Sequence, residues 1–256
     1  MVSGILDVVF RWLHVIAGIM WIGHLWFFNF VNGPFAAKMK EAGASKTVVP
    51  ELMPRALFWF RWGAAWTWIT GVLLAALVFY MGGILFDPPH TWNLAAFVCL
   101  ALVFGSPFIY DALYKSPLAA NARNAAIVSY VLVAVMILLM KYWGGFSYRG
   151  YNIHTGAMFG TIMAFNVWFR IWPAQQKIIR AVKAGEAPDP ALVALAGMRS
   201  RHNTYMSVPL VWTMLNLHSA LTEFATWQWV GLLVMIAIGW HIVFQLYRKS
   251  ALVQGF

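Results

Sequence analysis

Charge is scarce in this chain. Of its 256 residues 26 are Asp, Glu, Lys or Arg, or 10%, whereas a water-soluble domain of this size carries about a quarter to cover its surface. An ordinary soluble enzyme is therefore not expected, and the same composition rules out disorder. Cysteine is nearly absent as well. Cys99 stands alone inside an apolar run, so there is no disulfide framework, no CxxCH haem-c attachment site and no cysteine set for zinc or iron–sulfur ligation. It reads as a small core hydrophobe. Glycine-rich phosphate loops and a Ser–His–acid triad are missing. No long-period repeat and no low-complexity tract interrupts the chain. Acidic residues number only eight against 18 basic ones, but the bases sit at the ends of apolar runs and form no basic domain, so nucleic acid is not an expected partner.

Apolar residues are what the chain has in quantity. They make up 62% of it, with 15 Trp, 19 Phe and 9 Tyr, and mean hydropathy is +0.70. A helix needs about 20 apolar residues to cross the hydrocarbon of a bilayer. Seven runs meet that need, at about 5–32, 56–82, 91–114, 122–143, 151–173, 203–222 and 226–247. The breaks are Asn32-Gly33-Pro34, Gly82-Gly83, Asp87-Pro88-Pro89, Lys115-Ser116-Pro117, Gly144-Gly145 and Gly185-Glu186-Ala187-Pro188. The expected fold is an all-α integral membrane protein, a single transmembrane bundle over residues 1–256 with about seven helices. The first run has no basic n-region and is long enough to span, so it reads as a helix rather than a cleavable signal. Fifteen of the 18 Lys and Arg fall on one side of this pattern, and only Arg11, Lys141 and Arg149 on the other. That bias puts the N-terminus outside and the C-terminus inside. The segment from about 174 to 202 reads as a loop, with Ala191 to Met198 as a short helix on the inner leaflet. Trp59, Trp62 and Trp66 read as interface anchors.

Ionisable residues inside a membrane are costly and each is a candidate functional residue. His14 and His24 share the first run, about 15 Å apart along a helix axis and about 80° apart around it. Depths assigned from the orientation put His14, His154 and His218 in an outer layer, with His90 at the start of run three. They put His24, His202 and His241 in an inner one. Two stacked histidine layers suit one or two b-type haems, since imidazole is an ordinary axial ligand. Gly18 and Gly23 would let a flat macrocycle approach, and Arg11, Arg61 or Arg149 could pair with its propionates. The competing metal is copper, which imidazole also suits. The plain alternative for any one of these histidines is an interhelical hydrogen bond.

The first-helix pattern Arg11-Trp12-Leu13-His14 with Trp21-Ile22-Gly23 resembles those of bacterial membrane-bound urate hydroxylases, copper-resistance membrane proteins and haem-b protoporphyrinogen oxidases. Two later segments, 160–167 (GTIMAFNV) with 171–177 (IWPAQQK), and 199–209 (RSRHNTYMSVP) followed by Met214 and His218, resemble the urate hydroxylase membrane domain more specifically. On these residues the chain resembles the urate oxidase N-terminal family. The resemblance implies an eight-helix domain followed by a periplasmic cytochrome c. It also implies hydroxylation of urate to 5-hydroxyisourate, with water as the oxygen source and electrons leaving through the cytochrome. By position it points to His14, His24, His202 and His218, with Asn166 and Asn203 as polar companions.

This chain has no CxxCH and its last run ends with the tail inside, so a form without the cytochrome is expected, its electrons leaving through a separate c-type cytochrome or a larger redox complex. The first functional expectation is therefore electron transfer through haem held by His14, His24, His218 and His241, with His154 and His202 as alternates. The second is urate hydroxylation, with His202 or His218 as general base and Arg199, Arg201, Asn203 and Asn166 as donors to an anionic purine. The third is copper transport. The expected location is the bacterial inner membrane, in contact with lipid.

Overall fold

The computed structural model describes residues 2–217 and 227–253, and among these residues it is helical with no strand beyond an isolated pairing of Phe86 with Phe146. The helices are α1 (Val2–Trp26), α2 (Gly33–Glu41), α3 (Ser45–Leu74), α4 (Leu94–Leu113), α5 (Ala122–Leu138), α6 (Tyr148–Asn166), α7 (Trp172–Ala184), α8 (Pro190–Leu215) and α9 (Gln228–Ser250). Four wider π-helical turns lengthen or join them, at Phe27–Asn32, Ala75–Tyr80, Leu139–Trp143 and Val167–Ile171. Five stretches among the described residues are long and apolar enough to cross a membrane: Gly4–Glu41, Ser45–Tyr80, Leu94–Leu113, Ala122–Trp143 and Gln228–Ser250. The chain is a membrane-embedded helical protein.

Two of the seven expected runs are not among those five. They correspond to α6 and α8, which carry the buried Asn152, His154 and Asn166, and the buried Arg199, Asn203 and Ser207. These side chains lower the mean hydropathy because they serve the interior of the fold and not its lipid face. Run six was expected to reach 222; α8 ends at Leu215, and 218–226, with His218, lie outside the described residues.

One expected break and one expected run end turn out to be continuous helix. Gly33-Pro34 and Trp172-Pro173 each follow a π turn, in which the residue before proline bonds five residues back, Gly33 N–H to Phe28 O and Trp172 N–H to Val167 O. A proline has no N–H to give and its ring crowds the carbonyl four residues earlier. The wider turn shifts the register by one residue just where that conflict would fall. The helical course therefore runs on to Glu41 and to Ala184. The expected loop from 174 to 202 shrinks to the few residues between α7 and α8. Gly185, at φ +81°, closes α7, with Glu186 N–H bonded to Ala181 O at 2.9 Å. Asp189 then accepts from Ala191 N–H at 2.8 Å and Pro190 opens α8. The expected surface helix from Ala191 to Met198 is the beginning of α8.

The chain divides into two compact units. One comprises Val72–Ile162 and Pro209–Ile238, the other Val2–Gly71, Met163–Val208 and Gly239–Phe256. In the first unit Leu85, Ile137, Met140, Phe159, Leu232 and Ile236 are buried. Tyr130 of α5 donates to Leu233 O of α9 at 2.9 Å. Gly156 of α6 lies so close to Thr213 of α8 that a Cβ there would collide with the threonine side chain. In the second unit α1 and α3 meet backbone to backbone: a Cβ on Gly63 would stand 3.0 Å from Trp21 N and 3.3 Å from Ala17 O. Small residues permit such close approach in lipid. Trp21, Leu25, Phe60 and Ala64 are buried in this unit.

Gly18, expected to make room for a macrocycle, faces only Thr67 Cγ2 at 3.9 Å, and Gly23 faces open space. Two glycines on facing helices therefore predict opposite outcomes. Gly63→Ala should lower the melting temperature of the detergent-solubilised protein, at a cost of about 1–3 kcal/mol from overpacking. Gly18→Ala should leave it unchanged or raise it, because alanine favours helix by up to about 1 kcal/mol.

Candidate functional site

His14 and His24, both on α1, are held alike. His24 Nδ1 lies 2.7 Å from Met20 O. A carbonyl only accepts, so Nδ1 carries the proton and Nε2 keeps its lone pair. His14 Nδ1 lies 3.0 Å from Thr70 Oγ1. The Thr70 hydroxyl donates to Trp66 O at 2.6 Å, so its oxygen accepts from His14, and here too Nε2 keeps the lone pair. The ring of His14 fits because position 71 is glycine: a Cβ there would lie 3.0 Å from His14 Cε1. Both imidazoles are half-buried. A ring whose Nδ1–H is tied to a protein oxygen, with Nε2 turned elsewhere, is the arrangement usual for metal-ligating histidine.

The other candidates differ. His154 is fully enclosed in the first unit, its Nδ1 bonded to Gly150 O at 2.7 Å and its Nε2 to Tyr80 OH at 3.0 Å. Phe79, Phe146 and Tyr80 surround it with ring centroids at 6.0, 5.3 and 5.6 Å. With both nitrogens engaged it offers none to a metal as it stands, and it matches the plain interhelical hydrogen bond. His241 is exposed on α9, with Gln245 Nε2 at 3.1 Å from its Nε2. His90 is exposed in the loop before α4, where it packs on Gly145. His202 is half-buried. His14 belongs to the same unit as His24, His202 and His241, while His90 and His154 belong to the other unit; the expected outer layer had grouped His14 with His154. Arg11 is engaged with Asp7 at 2.9 Å. Among the described residues no three His, Cys, Asp or Glu side chains gather as a metal-binding group.

The second unit also holds a buried polar cluster. Asn166 donates to Asn203 Oδ1 at 2.9 Å, Asn203 donates to Met163 O at 3.0 Å, and Arg199 Nη1 reaches Asn166 Oδ1 at 3.5 Å. All three side chains are at most 1% exposed. Sequence reasoning grouped these three with Arg201 as donors; the fold brings the three together, while Arg201 is exposed and lies over the Tyr247 ring at 5.6 Å. It missed other polar contacts in the same unit. Trp26 Nε1 donates to Ser207 Oγ at 2.9 Å, Asn29 Nδ2 donates to Ser200 Oγ at 2.9 Å, and Tyr247 OH donates to Asn29 Oδ1 at 2.8 Å. Asn29 sits on the first π turn. A polar residue in an aromatic run was the available signal.

The pattern of the family described as urate oxidase N-terminal matches residues 1–252. The chain belongs to the urate oxidase N-terminal family. No curated protein and no solved structure matches it. Membership covers nearly the whole chain, so both the histidine pair on α1 and the Asn166–Arg199–Asn203 cluster lie within the family's domain.

Two tyrosines of the first unit test how buried polar groups are answered. Tyr80→Phe removes the partner of the enclosed His154 Nε2 and should destabilise by about 1–3 kcal/mol. Tyr151 is 1% exposed and its hydroxyl has no partner among the described residues. Tyr151→Phe should therefore melt at or above the wild-type temperature in detergent.

Proposed function

We propose that this member of the urate oxidase N-terminal family is an electron-transfer protein of the bacterial inner membrane. It crosses seven times with its N-terminus outside, and holds b-type haem through Nε2 of His14 and His24. The observation that supports this reading is the shared tautomer of these two imidazoles, each fixed through Nδ1 by a protein oxygen. Ten residues of helix separate them by about 15 Å, too far to ligate one iron together. Each would need its own haem and a second ligand from elsewhere, for which His218 and His202 are the candidates. Haem b bound at these positions supplies a one-electron iron couple, with a potential set by its ligands and burial.

The residues of the chain have three parts in this. Met20 O and Thr70 Oγ1 orient the rings and raise their basicity as ligands. Gly71 leaves room for the His14 ring. The apolar faces of α1 and α3 keep water from the pair. Electrons would enter from a bound reductant or partner complex and leave to a separate c-type cytochrome. Purified protein should show a b-type reduced-minus-oxidised band. His14→Ala and His24→Ala should each lower haem per protein, and Thr70→Val should lower it less, since it removes only the tether. A wild-type spectrum without that band overturns the proposal.

A second reading is favoured by the Asn166–Arg199–Asn203 cluster. Arg199 is a cation buried beside amide groups, the chemistry that binds an anionic purine, and His202 would act as general base. On this reading the chain hydroxylates urate to 5-hydroxyisourate. Urate added to membranes carrying the protein should then reduce the haem, and Arg199→Gln should abolish that reduction with haem content unchanged. Haem that urate leaves oxidised counts against this reading and leaves the first standing.

A further inference from the structure

Arg61 of α3 lies among three aromatic rings. Its guanidinium carbon lies 4.0 Å from the ring centroid of Trp172, 5.5 Å from that of Phe58 and 5.9 Å from that of Trp168. Trp168 Nε1 donates to Arg61 O at 3.0 Å, and Trp62 packs edge-on against Trp168 at 5.5 Å. Aromatic faces attract the cation and fix the plane of the fork, yet they accept none of its five N–H groups in ordinary hydrogen bonds. Among the described residues the guanidinium makes no ion pair and no hydrogen bond, and its Nε is sealed from solvent without a partner. An unanswered buried donor on a full charge is costly. The residue as a whole keeps part of its surface exposed, so a ligand can reach the fork from outside.

The surroundings select the ligand. A planar guanidinium with its edge unpaired matches the oxygens of a phosphate or carboxylate. Phe58, under the cation, and Trp62, against Trp168, are 43 and 41% exposed. These are apolar surfaces that suit acyl chains and would repel a free, fully hydrated anion. We propose that the Arg61 cage is a binding site for one anionic phospholipid, its phosphate on the Arg61 fork and its chains along these aromatics. The site assigns Arg61 to lipid rather than to a haem propionate, and stands whether or not the chain carries haem.

The test is native mass spectrometry of the full chain released from vesicles containing equal parts phosphatidylglycerol and phosphatidylcholine. Wild type should retain one phosphatidylglycerol in preference to phosphatidylcholine by about fivefold, the factor that about 1 kcal/mol per surface cation gives. Arg61→Gln should lose that preference. Arg61→Lys, which keeps the charge but not the fork, should retain part of it, with an unchanged melting temperature as the check on folding. Inorganic phosphate at millimolar concentration should fail to displace the lipid. Equal retention of the two lipids by wild type overturns the proposal, as does wild-type preference in Arg61→Gln. Displacement by phosphate alone, or loss of haem in Arg61→Gln with lipid preference intact, overturns it too.

Discussion

Hydrocarbon cannot answer a hydrogen-bonding group, so each polar side chain on a membrane helix must find its partner within the protein. That constraint sorts the histidines. In His154 both nitrogens are answered, by a backbone carbonyl and a tyrosine hydroxyl, and the ring is spent on structure. In His14 and His24 only Nδ1 is answered among the described residues. A side-chain hydrogen bond inside a membrane contributes on average only about 0.6 kcal/mol. The tether at Thr70 or Met20 therefore matters less for stability than for the direction in which it leaves Nε2 pointing.

The same constraint accounts for the two helices that fall short on hydropathy. α6 and α8 contribute Asn166, Arg199 and Asn203, whose side chains bond mainly to one another and to Met163 O. Much of the polarity that makes them poor spans by composition is answered inside the fold, while Asn152 Oδ1 and the Tyr151 hydroxyl of α6 are buried without a partner among the described residues. Arg61 is the contrasting case. Its cation rests on aromatic faces that offer no acceptor, which leaves its donors open to the lipid around the protein.

Much of the helical pattern was readable from the chain, because apolar run length follows directly from bilayer thickness. Leu94–Leu113 and Ala122–Trp143 fall within three residues of the expected limits. The errors share a cause. Gly33-Pro34 and Trp172-Pro173 look like helix ends because proline conflicts with α-helical bonding, and a π turn, which has no clear sequence signal, resolves the conflict. Asn166, Arg199 and Asn203 were legible as a group because two polar segments stood out against apolar neighbours. Ser207 and Tyr247 were not, since a serine or tyrosine is ordinary in such a helix, and Asn29 stood out only as one polar residue in an aromatic run.

Composition and residue order alone point to a membrane-embedded helical chain, and the motifs of 160–167 and 199–209 point to the family whose pattern matches residues 1–252. Both follow from local properties: hydrophobicity summed along a run, and residues adjacent in sequence. Which histidines keep a lone pair, and which cation lies among aromatic rings, is settled only by packing. Thr70 lies 56 residues from His14, and Trp172 lies more than a hundred from Arg61. No property of either residue or its neighbours in the chain specifies a partner at that distance; the close approach of the helices does.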